Sequence, residues 1–571
     1  MSRKQIAIDE ANKIDNEIIE TLKMGSNFRV DAGAGSGKTY SLIKVVEWLQ
    51  NNLWYQFKMN NQKVACITYT NVAVDVIQSR LKSDSFIDPS TIHSFVWQTM
   101  KQFQNDLIIN INEILSDKTD VIDFSKIKKI EYTLGKRYQE EEVLYLFHDD
   151  VIKLFVVLMD NQKFRTFLRD KYPIILIDEY QDSFKVIIDK FIQYFVDKGV
   201  QPQFGFFGDS WQTIYQMQGA VGEIENNNIV IIKKKSNFRS AKNIVEMLNK
   251  IRPDLPQISA EDDNEGSVAV VDCSDYSGIR LLGGQFNDEL PQNIFEERLK
   301  KMEELVLNDS SKTNKTLILT HRVIAKNNGY ADLLNLLDDG FKDKTDPFLV
   351  FFMEKAELIF NGLEQSKTNL IFDALGIKQY PINTIADKKK WNDFHVQFKS
   401  ARHKTVKDVL DVLKKSKLMT FPDSIEKIYS DYPKNQDDEY GRGTIKSLME
   451  MQYSQIMNAV SFHKPESLSS TNHGVKGEEY DNVLFVASKG WNNYNFDKYI
   501  PMTESEKNEN DSSYKRNRNL FYVCCSRAKT KFVLFITYPV SPKFRVYLEA
   551  MVGKGNYYSY SDFLTKVSGL N

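Results

Sequence analysis

The sequence predicts an α/β protein with two parallel-sheet lobes, each carrying a mainly helical insertion. Three observations lead there. Continuous apolar runs of four or five residues recur between polar or turn residues, the pattern of strands covered on both faces. Segments of helical period alternate with those runs, as crossover connections between parallel strands require. Two long blocks, 98–168 and 341–464, keep the helical period and carry charge but contain no such run.

In chain order, the runs at 64–68, 174–178 and 204–207 form a first set of predicted strands. Those at 267–271, 316–320, 482–486 and 531–535 form a second. The resulting division puts a first lobe at 1–97 and 169–240, interrupted by an insertion at 98–168. A second lobe follows at 241–340 and 465–571, interrupted by an insertion at 341–464.

Composition bounds the function. With 571 residues and 42% hydrophobic content, the chain can bury several cores. Its 75 Lys and Arg nearly cancel 77 Asp and Glu, so the net charge of −2 neither requires nor excludes a nucleic-acid partner. Cys66, Cys273, Cys524 and Cys525 show no metal-ligand spacing and read as reduced, buried thiols. No apolar run reaches the roughly 18 residues of a membrane span, so no membrane partner and a soluble, cytoplasmic protein are expected.

The first chemical signal is Asp31-Ala32-Gly33-Ala34-Gly35-Ser36-Gly37-Lys38-Thr39, between an apolar stretch and the helix-like run from Tyr40. Glycines let consecutive backbone N–H groups turn inward on a phosphate chain, and the next helix aims its positive end at the same point. Lys38 then reaches the β and γ phosphates, and the Thr39 hydroxyl serves Mg²⁺. Ala32 stands where the usual pattern has glycine; the competing reading is a glycine-rich turn without a ligand.

Asp178-Glu179-Tyr180-Gln181-Asp182 ends a predicted buried strand, at the edge where open α/β sheets bind ligands. Asp178 suits Mg²⁺, and Glu179 suits a general base acting on water. By itself an acidic cluster after a strand is more commonly a solvated helix start. Its pairing with the glycine loop favours the catalytic reading.

Six further segments extend the series: Thr68-Tyr69-Thr70-Asn71, Thr91-Ile92-His93-Ser94, Gly208-Asp209-Ser210-Trp211-Gln212-Thr213-Ile214-Tyr215, Asn237-Phe238-Arg239-Ser240, Thr471-Asn472-His473-Gly474 running on to Glu479, and Leu520-Phe521-Tyr522-Val523-Cys524-Cys525-Ser526-Arg527. Together and in this order they resemble the motifs of the UvrD/Rep/PcrA helicases of superfamily 1. The resemblance spans nearly the whole chain. It implies two RecA-like lobes, ATP and Mg²⁺ as cofactors, and a phosphate site formed by Gly33, Ala34, Gly35, Ser36, Gly37, Lys38 and Thr39. It also implies Arg239 and Arg527 as arginine fingers, Gln212 as a γ-phosphate and water sensor, Glu479 on the ribose, and Phe238 and Tyr40 beside adenine. For DNA it points to Tyr69, Thr70, Asn71, His93, Tyr215, Met217 and His473. Tyr69 offers a stacking face indifferent to sequence; for Thr70, Asn71, His93 and His473 a turn or core role competes. Basic tracts at 233–235, 388–390 and 515–518 read either as phosphate contacts or as solvated faces.

Relatives often carry Trp where this chain has Met217, which provides no flat π-face. The activity implied by the resemblance is ATP-dependent 3′–5′ translocation on single-stranded or tailed duplex DNA, with strand separation. The alternative is a nucleotide-gated DNA-sensing subunit that regulates a partner nuclease, since small UvrD-like ATPases of this size resemble components of anti-phage defence systems.

Overall fold

The computed structural model describes the chain except for residues 83–84, 116–121, 134–136, 215–218, 319–320, 343, 377–383, 465–466, 472–476, 490–492 and 569–571. It separates into two compact units: Met1–Val270 with Asn493–Phe532 and Val540–Tyr558, and Val271–Asn492 with Val533–Pro539 and Ser559–Asn571.

A six-stranded sheet organises the first unit. Its strands are β1 (Asn27–Ala32), β2 (Val64–Thr68), β3 (Ile87–Thr91), β4 (Ile174–Asp178), β5 (Gln203–Gly208) and β6 (Ile229–Lys234), in the spatial order β3-β2-β4-β5-β1-β6. Every pairing is parallel, so all six C-terminal ends lie along one edge. Alternation along each strand sends side chains to both faces. Phe28 and Val30 of β1, Val64 and Cys66 of β2, and Leu176 of β4 enter one core with Ile14 and Ile18 of helix Arg3–Lys23 and Leu42, Val45 and Leu49 of helix Lys38–Asn52. Ala65, Ile67, Ile175, Ile177, Phe204 and Phe206 enter the opposite core, which continues through Phe95, Leu107, Leu154 and Phe155 into the 98–168 block. That second core makes the block an extension of the sheet's own packing.

The block is mainly helical, as expected, with helices Gln104–Ile114, His148–Leu158 and Gln162–Lys171. It also holds a small sheet of Lys129–Tyr132, Tyr138–Glu140 and Val143–Leu146. These strands are three or four residues long and partly exposed, so they leave no apolar run to read.

The second six-stranded sheet takes β7 (Ser267–Asp272), β8 (Asn314–Ile318), β9 (Ser469–Thr471), β10 (Tyr480–Ala487), β11 (Ala528–Ile536) and β12 (Tyr557–Ser559), in the order β9-β8-β10-β11-β7-β12. β8 pairs in parallel with both β9 and β10. The 341–464 block contributes helices such as Glu357–Glu364, Ile385–Ala401, Val406–Ser416 and Tyr453–Phe462, plus one short hairpin, Glu439–Tyr440 with Gly443–Thr444. Thr384 and Thr405 open two of these helices with capping boxes completed by Asp387 and Asp408. Buried Glu357 binds three of them together: Arg402 meets its carboxylate at 2.6 and 3.2 Å, and the Tyr453 hydroxyl donates to it at 2.6 Å.

All four cysteines are buried and unbridged, and burial pushes each thiol up from its ordinary pKa. Among the described residues no helix is long and apolar enough to cross a membrane.

Gly205 sits at the centre of the first sheet, in register with Phe28 on one side and Leu176 on the other. A Cβ there would lie 2.5 Å from the Phe28 ring and 2.9 Å from a Leu176 methyl. Gly205→Ala is therefore expected to cost about 1–3 kcal/mol by overpacking, measured as a fall in the denaturant midpoint at unchanged m-value.

Candidate nucleotide-binding and catalytic site

Because the first sheet is wholly parallel, the segments after β1, β2, β3, β4 and β5 gather at one edge. These segments contain the loop 33–39, Tyr69 to Asn71, His93, residues 178–182 and residues 209–212. The sequence motifs of the first unit thus converge for a topological reason.

The loop after β1 turns on Gly35 and Gly37, with φ of 72° and 79°. Both angles suit glycine, and Gly37 is the N-cap of helix Lys38–Asn52. Gly35 is also hemmed in. A Cβ there would lie 2.6 Å from Arg239 Cβ, and the Phe238 N–H donates to the Gly35 carbonyl at 2.8 Å. Asn237 and Gln257 each donate to the Ala34 carbonyl, at 3.0 and 3.1 Å. The segment carrying Phe238 and Arg239 is thereby pinned to the phosphate loop. Tyr40 and Phe238 are 59% and 49% exposed beside the loop, available to a flat base.

Beneath the loop, helix Lys38–Asn52 is anchored in its first turn. Buried Asp15 accepts from the Ser41 hydroxyl and from Lys44 and Lys234, the latter two at 2.9 and 3.1 Å. The attraction of Lys234 and these hydrogen bonds hold its carboxyl below the usual range despite desolvation. Lys234, read from the sequence as part of a surface tract, is fully buried.

Lys38 Nζ lies 3.6 Å from Glu179 Oε2. Glu179 itself takes φ 50° and ψ 44°, a left-handed conformation unusual for a residue with a side chain. The Thr39 hydroxyl donates to Asp178 at 3.5 Å. Two ligands of one octahedral Mg²⁺ at about 2.1 Å can stand up to about 4.2 Å apart, so this donor pair fits such an ion. Desolvation, reinforced by the Glu179 charge, raises the Asp178 carboxyl to about 7, a cost that a bound cation would reverse. Among the described residues no group of three or more His, Cys, Asp and Glu is arranged for a metal.

Gln212 lies between an acid and an arginine. Its Nε2 donates to Asp209 at 2.7 Å, and its Oε1 accepts from Arg527 Nη2 at 3.3 Å. Arg527 is 1% exposed; burial first, and neighbouring Arg239 second, lower its guanidinium to about 9. Arg239 donates to the Ser526 carbonyl at 3.0 Å. Lys38, Arg239 and Arg527 thus share the first compact unit with the phosphate loop, and the two arginines oppose each other electrostatically.

Sequence reading missed several groups that organise this site. Gln181 donates to Glu179 and Asp182 and accepts from the Asp209 N–H at 3.0 Å, joining the ends of β4 and β5. Arg252 pairs with buried Asp209 at 2.5 Å. Tyr522 accepts from the Ala34 N–H at 3.2 Å. Asp209 and Tyr522 fell inside quoted motifs without receiving a role, whereas Arg252 and Gln257 have no local pattern to mark them.

The remaining sequence-proposed residues are placed as follows. Tyr69 is 43% exposed, near enough to Asp182 for that charge to add to desolvation in raising its phenol. Thr70 caps helix Asn71–Gln78 by accepting from the Ala73 N–H, and Asn71 is exposed. His93 stacks edge-on against His148 and Phe184; burial and the neighbouring His148 lower its imidazole to about 4. Glu479 is exposed in the second unit. Tyr215, Met217 and His473 lie outside the described residues.

Comparison with known proteins agrees with this geometry. A family model described as an AAA domain matches residues 6–218. Gabija protein GajB of Bacillus cereus (strain HuB5-5) is 24% identical in an alignment covering 92% of this chain and 95% of that protein. ATP-dependent DNA helicase Rep of Buchnera aphidicola subsp. Acyrthosiphon pisum is 26% identical over 38% of this chain and 42% of Rep. The solved structure of Pif1 helicase from Candida albicans covers 94% of this chain and 98% of its own at 11% identity, with a TM-score of 0.32, a likeness too weak to inform the site. The relatives, the ordered motifs and the parallel-sheet edge that collects them together liken this chain to the UvrD/Rep-type helicases of superfamily 1.

Proposed function

We propose that the chain is an ATP-dependent DNA translocase that hydrolyses Mg-ATP, moves 3′ to 5′ along single-stranded DNA and separates short duplexes ahead of it. The observation that carries this reading is the convergence of Lys38, Thr39, Asp178, Glu179, Gln212, Arg239 and Arg527 around one phosphate-binding loop. The name of the relative Rep, an ATP-dependent DNA helicase, agrees with it. The polarity rests on resemblance to the UvrD/Rep/PcrA helicases.

In this reading the loop amides and Lys38 hold the phosphates, and Glu179 orients the attacking water and takes its proton. Gln212 holds the water or the γ-phosphate oxygen, and Arg239 and Arg527 neutralise the charge that spreads over the transferred phosphoryl group. Thr39 and Asp178 would hold Mg²⁺, which would supply positive charge against the negative charge developing on the phosphates. The electrostatics support an anionic substrate: burial and the neighbouring Arg239 hold the Arg527 guanidinium down, and negative charge arriving beside it relieves that. Tyr40 and Phe238 flank adenine, and Glu479 meets the ribose. Tyr69, with Thr70, Asn71, His93, Tyr215, Met217 and His473, follows the DNA strand.

A second reading is a nucleotide-gated DNA-binding subunit that controls a partner nuclease in antiviral defence. Its support is the extent of the likeness: the alignment with Gabija protein GajB runs almost the length of both proteins, whereas that with Rep covers less than half of each. Turnover with and without single-stranded DNA, run beside unwinding of 3′-tailed and 5′-tailed duplexes, separates the two. DNA-stimulated turnover with opening of only the 3′-tailed duplex supports the translocase; stimulated turnover without opening of either supports the gated subunit.

Three substitutions test the site. Lys38→Ala is expected to abolish nucleotide binding in a filter or fluorescence titration, because the phosphates lose their cation; wild-type affinity would remove the loop from the site. Glu179→Gln keeps the shape but not the base, so single-turnover hydrolysis should collapse while ATP remains bound. Arg527→Ala is expected to lower kcat by roughly 10³-fold, in line with arginine fingers, with a smaller change in nucleotide affinity. A loss below about threefold in steady-state kinetics would assign Arg527 a packing role instead.

A further inference from the structure

We propose that Tyr522 and Arg252 are positioning residues that set the orientation of Gln212 and Arg527 from the phosphate-binding loop. The proposal rests on the ATP-hydrolysing reading of the site. A chain of hydrogen bonds and one cation–ring contact within the first unit carries it. The Ala34 N–H donates to the Tyr522 phenol oxygen at 3.2 Å, and the Arg252 guanidinium lies over the Tyr522 ring, 5.6 Å from its centre. Arg252 also holds Asp209 Oδ1 at 2.5 Å, and the other Asp209 oxygen accepts from Gln212 Nε2 at 2.7 Å. Gln212 Oε1 then accepts from Arg527 at 3.3 Å.

The chemistry fixes the direction of each group. Asp209 is fully buried, and as an ionised carboxylate paired with Arg252 it can only accept. Gln212 must therefore present its NH₂ to Asp209, which leaves its carbonyl oxygen for Arg527. A flipped amide would set oxygen against carboxylate and nitrogen against guanidinium, two repulsive contacts in a low-dielectric site. Asp209 keeps its position through Arg252, which is 4% exposed. Arg252 in turn is held over the Trp211 ring at 5.1 Å and the Tyr522 ring at 5.6 Å. Trp211 is bracketed from elsewhere by Arg518 at 4.0 Å. Asn519, three residues before Tyr522 on helix Asp511–Cys525, donates to the carbonyls of Ser210 and Thr213 at 3.1 and 3.0 Å, binding the same turn to that helix. Tyr522 thus joins a phosphate-loop amide, through its oxygen, to the arginine and tryptophan of the arrangement that aims Gln212 and Arg527, through its ring.

The test uses the full chain with ATP and single-stranded DNA. Tyr522→Phe keeps the ring against Trp211 and removes only the oxygen. It is expected to lower kcat about tenfold, as for one hydrogen bond lost from a buried network, with KM for ATP changed less than twofold. In a Gln212→Ala background, where the residue it orients is gone, the same substitution should cost less than twofold. A kcat for Tyr522→Phe within threefold of wild type, a matching rise in KM, or an equal loss in both backgrounds overturns the proposal. If Tyr522→Phe does not fold, Arg252→Lys, which keeps Asp209 charge-compensated, takes its place in both backgrounds: a tenfold loss of kcat confined to the Gln212 background supports the proposal, and an equal loss in both overturns it. Lys38→Ala, run alongside, separates this failure from that of the underlying reading: if it turns over ATP like wild type, the nucleotide site itself is misassigned.

Discussion

Everything at the candidate site depends on the close approach of Asn237, Phe238 and Arg239 to the phosphate loop. Gly35 permits it, since any side chain there would enter the space of the Arg239 Cβ. The Phe238 N–H and the Asn237 amide then bond the loop's own carbonyls, at Gly35 and Ala34. That pinning occupies carbonyl acceptors of the loop, while the Ala34 N–H goes to Tyr522 and the Ser36 N–H to the Gly33 carbonyl. It also places the base of the Arg239 side chain against the loop, while the guanidinium reaches the Ser526 carbonyl. A candidate catalytic cation and a binding surface are thereby built from one backbone contact.

The charges around this contact are balanced closely. Lys38 rests against Glu179, so the proposed base and the proposed phosphate-holding lysine occupy each other in the structure. Asp178 is held near neutrality by burial and by Glu179, and Arg527 is depressed by burial and by Arg239. Both perturbations disfavour the charged form of a buried group, the Asp178 carboxyl pushed up and the Arg527 guanidinium pushed down. Perturbed groups of this kind are what functional sites accumulate. The left-handed backbone at Glu179 adds a local strain at the proposed base, consistent with a residue positioned for chemistry over comfort.

How much of this could be read from the sequence depended on whether the signal was local. Strands β2, β4 and β5 are covered on both faces and so stand out as apolar runs. β3 does not, because it is an edge strand carrying Asp88 and Pro89, and an edge tolerates both. The loop 33–39 and Asp178-Glu179 carry local sequence patterns, and the parallel sheet sets both at one edge. Lys234 was misleading: three consecutive lysines suggest a surface, yet one of them meets Asp15 from a helix more than two hundred residues earlier. Arg252 and Gln257 were invisible for a similar reason. Their partners, Asp209 and Ala34, are adjacent only after the sheet has brought them together.

The four buried thiols have a consequence for how the protein's motions can be observed. Cys66 lies in β2, within reach of the charge on Asp178, and Cys524 and Cys525 lie on the helix that carries Tyr522 and leads into Arg527. Burial withholds both solvent and the thiolate form from each of them, so an alkylating reagent has nothing to attack while the core is closed. The native chain therefore carries its own timers: the labelling rate at Cys66 counts openings of the sheet beside the Asp178 carboxylate, and that at Cys524 and Cys525 counts openings of the helix behind the arginine, each without a foreign probe.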